Sequence, residues 1–129
     1  MRKEAEMWME DAEYDLGCAK DLLEKERYNY AVFFSRQAVE KILKSAYLAV
    51  LGKSFPKEHN LIVLAKEIFQ EIDDNIMGNI TFLNPHYTVT RYVNASLDIP
   101  SKLYDRRFAE QSTQKAEEVL KWVKTKITS

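Results

Sequence analysis

The chain has 129 residues, enough for one domain with a real core and too few for two. Nineteen basic residues against twenty acidic ones give a net charge of −1, which excludes bulk attraction to nucleic acid or anionic lipid and leaves only a local basic patch for such contacts. Three scattered glycines and one cysteine, Cys18, exclude a glycine-rich phosphate loop and an internal disulfide, and no run of about 18 apolar residues is present to span a membrane.

The start, MRKEAEMWMEDAEYD, is acidic and amphipathic and lacks the apolar region of a signal peptide, so a cytoplasmic location is expected. From Glu4 to Glu24, Ala5, Trp8, Ala12, Leu16, Ala19 and Leu23 recur at steps of three and four, the stripe of a first helix. Gly17 is expected to mark close packing there, and Asp15 to lie at the rim of the stripe. Cys18 reads as a small core residue.

Tyr28 to Leu51 is the most apolar segment, interrupted only by the narrow polar strip Arg36, Gln37, Glu40, Lys41 and Lys44. A helix apolar over most of its circumference is central, or faces a second subunit. Gly52 ends it as a left-handed cap, and Asn60 caps a third helix with Leu61, Leu64, Ala65, Ile68 and Ile72 on its stripe. A fourth helix starts near Asp74 and carries Ile76, Ile80 and Leu83, with Asn84-Pro85 expected to stop it. The stretch Asn84 to Tyr104 has no helical period. A final helix runs from about Asp105 to Ile127. The pattern predicts an all-α fold, an up-and-down bundle of four to five helices in a single domain.

No cofactor motif is found, and neither His59 nor His86 belongs to a Glu-x-x-His pair, so no metal or cofactor is expected. What remains is the aperiodic stretch, with His86, Tyr87, Thr90, Arg91, Tyr92, Asn94 and Tyr104. An arginine among aromatics can hold a phosphate while the rings stack on a base. The plainer reading, which the residues alone favour, is that the same tyrosines cover the bundle, with Arg91 in a structural ion pair.

Three stretches resemble a known family. They are WMEDAEYDLGCAKDLL (Trp8 to Leu23), YNYAVFFSRQAVEKILKSAYL (Tyr28 to Leu48), and HNL at His59 to Leu61 followed by Y-x3-RY at Tyr87 to Tyr92 and the last amphipathic helix. In that order and spacing they resemble the HEPN domain, the helical companion of minimal nucleotidyltransferases. The resemblance implies a five-helix bundle, homodimerisation, and pairing with a small nucleotidyltransferase protein, often as toxin and antitoxin. Many members are metal-independent ribonucleases with an Arg, four to six residues, then His. That pattern fails here, because Arg91 is followed at the permitted positions by Ser96, Leu97 and Asp98, and His86 precedes it. The reading is therefore a non-catalytic or weakly catalytic HEPN-like dimer. It would hold nucleotide or RNA phosphate through Arg91, Tyr92, Tyr87 and His86, with Lys44 and Lys41 adding charge. The alternatives are a ribonuclease toxin using Arg91 with His86, and a purely structural interaction module.

Overall fold

The computed structural model describes residues 1–128. Among them every regular element is a helix: α1 (Lys3–Glu24), α2 (Tyr28–Leu51), α3 (Leu61–Ile68), α4 (Asp74–Leu83), the one-turn α5 (Val93–Ser96) and α6 (Pro100–Leu103), and α7 (Arg106–Ile127). No described helix is long and apolar enough to cross a membrane.

The apolar α2 is the hub, packing against α1, α3, α4, α6 and α7. Val39, Ile42, Leu43 and Ala46 meet Leu16 of α1, Leu61 and Leu64 of α3, Ile80 and Leu83 of α4, and Val119, Leu120 and Val123 of α7. A smaller cluster at the start of α2 joins Ala31 and Val32 to Tyr104 and Ala109. The helix ends follow local chemistry. Gly52 closes α2 at φ +65°, a conformation only glycine adopts without cost. The Asn60 side chain accepts from Ile62 N and Val63 N, and that of Asp105 accepts from Phe108 N, satisfying otherwise orphaned donors.

Several expectations are corrected. α3 stops at Ile68, four residues before the end of its predicted stripe, because Phe69 turns extended and packs edge-on against Trp122 at 5.0 Å. α4 ends at Leu83, just before Asn84-Pro85 as expected, yet Asn84 itself keeps right-handed helical backbone although Pro85 follows it. Its carbonyl accepts from Arg36 Nε and its side chain accepts from Leu61 N, and these bonds hold it there. The stretch after it folds into successive turns, α5 and α6 rather than an open loop. Gly17 does not serve close packing: it is exposed, with nothing within 4 Å of where a Cβ would stand. Asp15 is buried, not at a rim, and pairs with Lys41 at 2.8 Å. Burial pushes its carboxyl above the usual value despite that lysine.

Candidate functional site

Arg36, Glu40 and Lys44 follow one another at four-residue spacing, so one line of charge runs down the otherwise apolar α2. A buried charge must be paired and hydrogen-bonded, and these are. Arg36, 2% exposed, spends its whole fork inside the protein. Nε donates to Asn84 O at 2.9 Å, Nη1 to Glu40 Oε1 at 3.0 Å, and Nη2 to His59 O. Desolvation lowers its pKa and the Glu40 carboxylate opposes that shift. Glu40, 3% exposed, also receives Lys44 Nζ at 3.1 Å. Burial alone would raise the Glu40 pKa, but hydrogen bonds from Lys44 and Arg36 outweigh it, and the carboxyl titrates below its ordinary range.

The third group on Glu40 is His59, whose Nδ1 lies 3.2 Å and 3.3 Å from the two carboxylate oxygens. Against an ionised carboxylate, Nδ1 carries the proton and a neutral ring keeps Nε2 free to accept one. The His59 side chain is 54% exposed. Its ring stacks on Tyr87, with centroids 4.6 Å apart and planes 19° apart, and the Arg36 guanidinium lies 4.8 Å from the same ring.

Arg91 completes the cluster. Nε and Nη2 donate to Tyr87 O at 3.0 and 2.8 Å, folding the side chain back over its own turn. Its guanidinium carbon then sits 4.4, 4.7 and 4.8 Å from the rings of Phe33, Tyr87 and Tyr92. Cation–π contacts of this kind hold a guanidinium without neutralising it. Among the described residues Arg91 has no carboxylate partner, so the structural ion pair considered from the sequence is not what holds it. Three cations, Arg36, Lys44 and Arg91, face one anion, Glu40, in a chain of net charge −1. The surplus is positive and suits an anion.

The remaining sequence candidates divide. Tyr87 and Tyr92 flank Arg91, and Lys44 reaches the cluster through Glu40 while its Nζ lies over the Trp8 and Phe55 rings at 5.2 and 5.0 Å. Lys41 points elsewhere on α2 and is held by Asp11 at 2.7 Å and Asp15 at 2.8 Å. His86 is engaged in a separate aromatic cluster. Its Nδ1 is 2.7 Å from the Tyr104 hydroxyl, and its ring packs on Phe108 at 5.0 Å and Phe82 at 6.4 Å. Burial, helped by the charge of Arg36, lowers its pKa, while burial raises Tyr104 to about 12. A protonated phenol donating to a neutral imidazole satisfies both.

Arg36, Glu40, His59 and Phe33 were not among the sequence candidates. The available signal was the charged strip on α2, since charges on a helix buried all round need partners from elsewhere in the chain. Among the described residues no three His, Cys, Asp or Glu side chains are grouped as a metal ion requires.

Comparisons with known proteins bear on the chain as a whole. The profile of the HEPN domain matches residues 5–126. A Methanocaldococcus jannaschii protein named "Putative toxin MJ1304" is 32% identical over 133 aligned positions, covering 95% of this chain and 87% of the relative. The crystal structure of a Thermus thermophilus protein superposes with a TM-score of 0.88 at 26% identity, covering 97% of this chain and 99% of that one. That of an archaeal HEPN homologue does so with a TM-score of 0.78 at 30% identity, covering 98% and 99%. A Thermotoga maritima HEPN domain protein gives 0.75 at 25% identity, covering 95% and 98%. A family model that spans nearly the whole chain, with a relative at 32% identity over 95% of it, shows that the chain belongs to the HEPN domain family.

Proposed function

We propose that this chain is the HEPN component of a toxin–antitoxin pair, a dimeric helical module that holds a nucleotide or RNA phosphate at Arg91 beside a minimal nucleotidyltransferase partner. The observation that carries the reading is Arg91 itself, a cation with aromatic walls and no counterion. A phosphate supplies the missing negative charge, and the exposed Tyr92 and His59 rings supply faces for a base. The toxin association rests on the similarity to the M. jannaschii protein. Homodimerisation does not follow from α2, which the monomer already buries. It would use the exposed apolar side chains after the site, Val93, Leu97, Ile99 and Leu103, of which Leu97 is 89% exposed at φ +60°.

The test is co-expression with the product of a neighbouring nucleotidyltransferase reading frame, followed by affinity purification and sedimentation. A stoichiometric complex containing two copies of this chain is expected. A monomer of about 15 kDa at micromolar concentration that leaves the partner behind overturns the assembly.

A second reading is favoured by one observation, the His59–Glu40 pair. An imidazole aligned by a buried carboxylate, on a side chain that is half exposed, has the form of a general base. Taking the proton of an RNA 2′-hydroxyl beside Arg91, it would let that oxygen attack the adjacent phosphorus and expel the 5′-oxygen, which takes a proton from solvent, leaving a 2′,3′-cyclic phosphate without a metal. His59, rather than His86, is then the histidine of a ribonuclease toxin, and RNA cleavage in EDTA that His59→Ala abolishes and His86→Phe retains would establish it.

A further inference from the structure

The outward face of α1 takes no part in the site. Trp8, Asp11, Glu4, Met7, Tyr14 and Glu10 line a groove of about 570 Å³, within the size range that holds organic side chains or ligands. Met7 and Tyr14 are 59% and 70% exposed, although neighbouring positions of α1 bury their apolar groups in the core. Among the described residues Lys41 answers Asp11, but Glu4 and Glu10 have no cationic partner. No cation lines the groove.

We propose that this face docks a basic amphipathic segment of a partner protein, apolar residues against Met7, Trp8 and Tyr14 and lysines or arginines against Glu4 and Glu10. The charge pattern decides the occupant. A second copy of this chain would bring the same Glu4 and Glu10 carboxylates, while its nearby Lys41 and Lys44 are already held by Asp11, Asp15 and Glu40, so like charges would be desolvated against one another. An anionic membrane or nucleic acid is repelled for the same reason. A basic helix supplies the charge that Glu4 and Glu10 lack, while its apolar stripe covers Met7 and Tyr14.

The test uses the full chain carrying Trp122→Phe, which leaves Trp8 as the single tryptophan. Its fluorescence is titrated with a synthetic helical peptide bearing a leucine stripe flanked by lysines, and with the same peptide carrying glutamates instead. The lysine peptide should shift Trp8 emission saturably. Glu4→Gln with Glu10→Gln should weaken it about tenfold, the size expected for losing charged contacts. Glu71→Gln with Glu110→Gln, elsewhere on the surface, should leave affinity within about twofold. Equal binding of the two peptides, an unchanged affinity in the Glu4/Glu10 variant, or no movement of Trp8 emission overturns the proposal. So does a dimer that Tyr14→Ala dissociates, which would assign the face to a second copy.

Discussion

His59 and His86 are chemically identical side chains, and the structure gives them opposite work. His59 stands half in solvent, its Nδ1 on a buried carboxylate and one ring face on Tyr87. His86 is enclosed by Phe82, Tyr104 and Phe108, with its Nδ1 taken by a phenol. Environment, not residue type, separates a group available for binding or proton transfer from one that fills a wall.

The largest expected effect lies beneath His59. Arg36→Ala leaves buried Glu40 without one of its two cationic partners and Asn84 O and His59 O without their donor. Breaking a buried ion pair from one side costs about 3–5 kcal/mol, which denaturant unfolding would register. A loss below about 1 kcal/mol would mean that Lys44 and water suffice for Glu40. Arg91 has a different signature. Arg91→Ala should reduce affinity for a nucleotide or RNA by about ten- to a hundredfold, or about 1.5–3 kcal/mol. Arg91→Lys should recover only part of it, because an ammonium cannot reproduce the fork that grips the Tyr87 carbonyl.

The His86 cluster should answer in stability alone. Tyr104→Phe removes the hydrogen bond to a half-buried imidazole and should cost about 1 kcal/mol in unfolding. The pH dependence follows from the lowered pKa. The folded protein favours neutral His86, so the unfolded chain binds a proton more readily, and stability is lost as the pH falls below the ordinary histidine value of 6.5. The melting temperature should therefore decline between about pH 7 and pH 5, and His86→Phe should flatten that decline. An unaltered profile in the variant would assign the titration elsewhere. Smallest of all, His59→Ala should cost less than about 1 kcal/mol, since Glu40 keeps Arg36 and Lys44, while any phosphate chemistry suffers.

How far the sequence could lead is clear from these same residues. The long helices, the Gly52 and Asn60 caps and the bundle were legible because periodicity and capping are local signals. Arg91 with Tyr87 and Tyr92 was legible because its neighbours in sequence are neighbours in space. The His59–Glu40 contact spans 19 residues and the Arg36–Asn84 contact spans 48, and no local pattern announces such pairs. His86, adjacent in sequence to Tyr87, was grouped with Arg91 on proximity along the chain. The turn at Asn84 instead sends it to Tyr104 and Phe108. The turns after Pro85 were missed for a related reason. Their stability comes from tertiary bonds, such as Asn29 Nδ2 donating to Thr90 O at 3.0 Å, rather than from any helical period.

On this reading the Arg91 cluster binds phosphate and the His86 cluster only supports it. The most direct measurement is fluorescence-polarisation binding of a short labelled oligoadenylate to the parent chain, Arg91→Ala and His86→Phe, with the melting temperature of each recorded in the same buffer. The parent should bind, His86→Phe should bind equally well whatever its melting temperature, and folded Arg91→Ala should lose about tenfold or more. No binding by the parent, or an Arg91→Ala variant that binds as tightly as the parent, would contradict it.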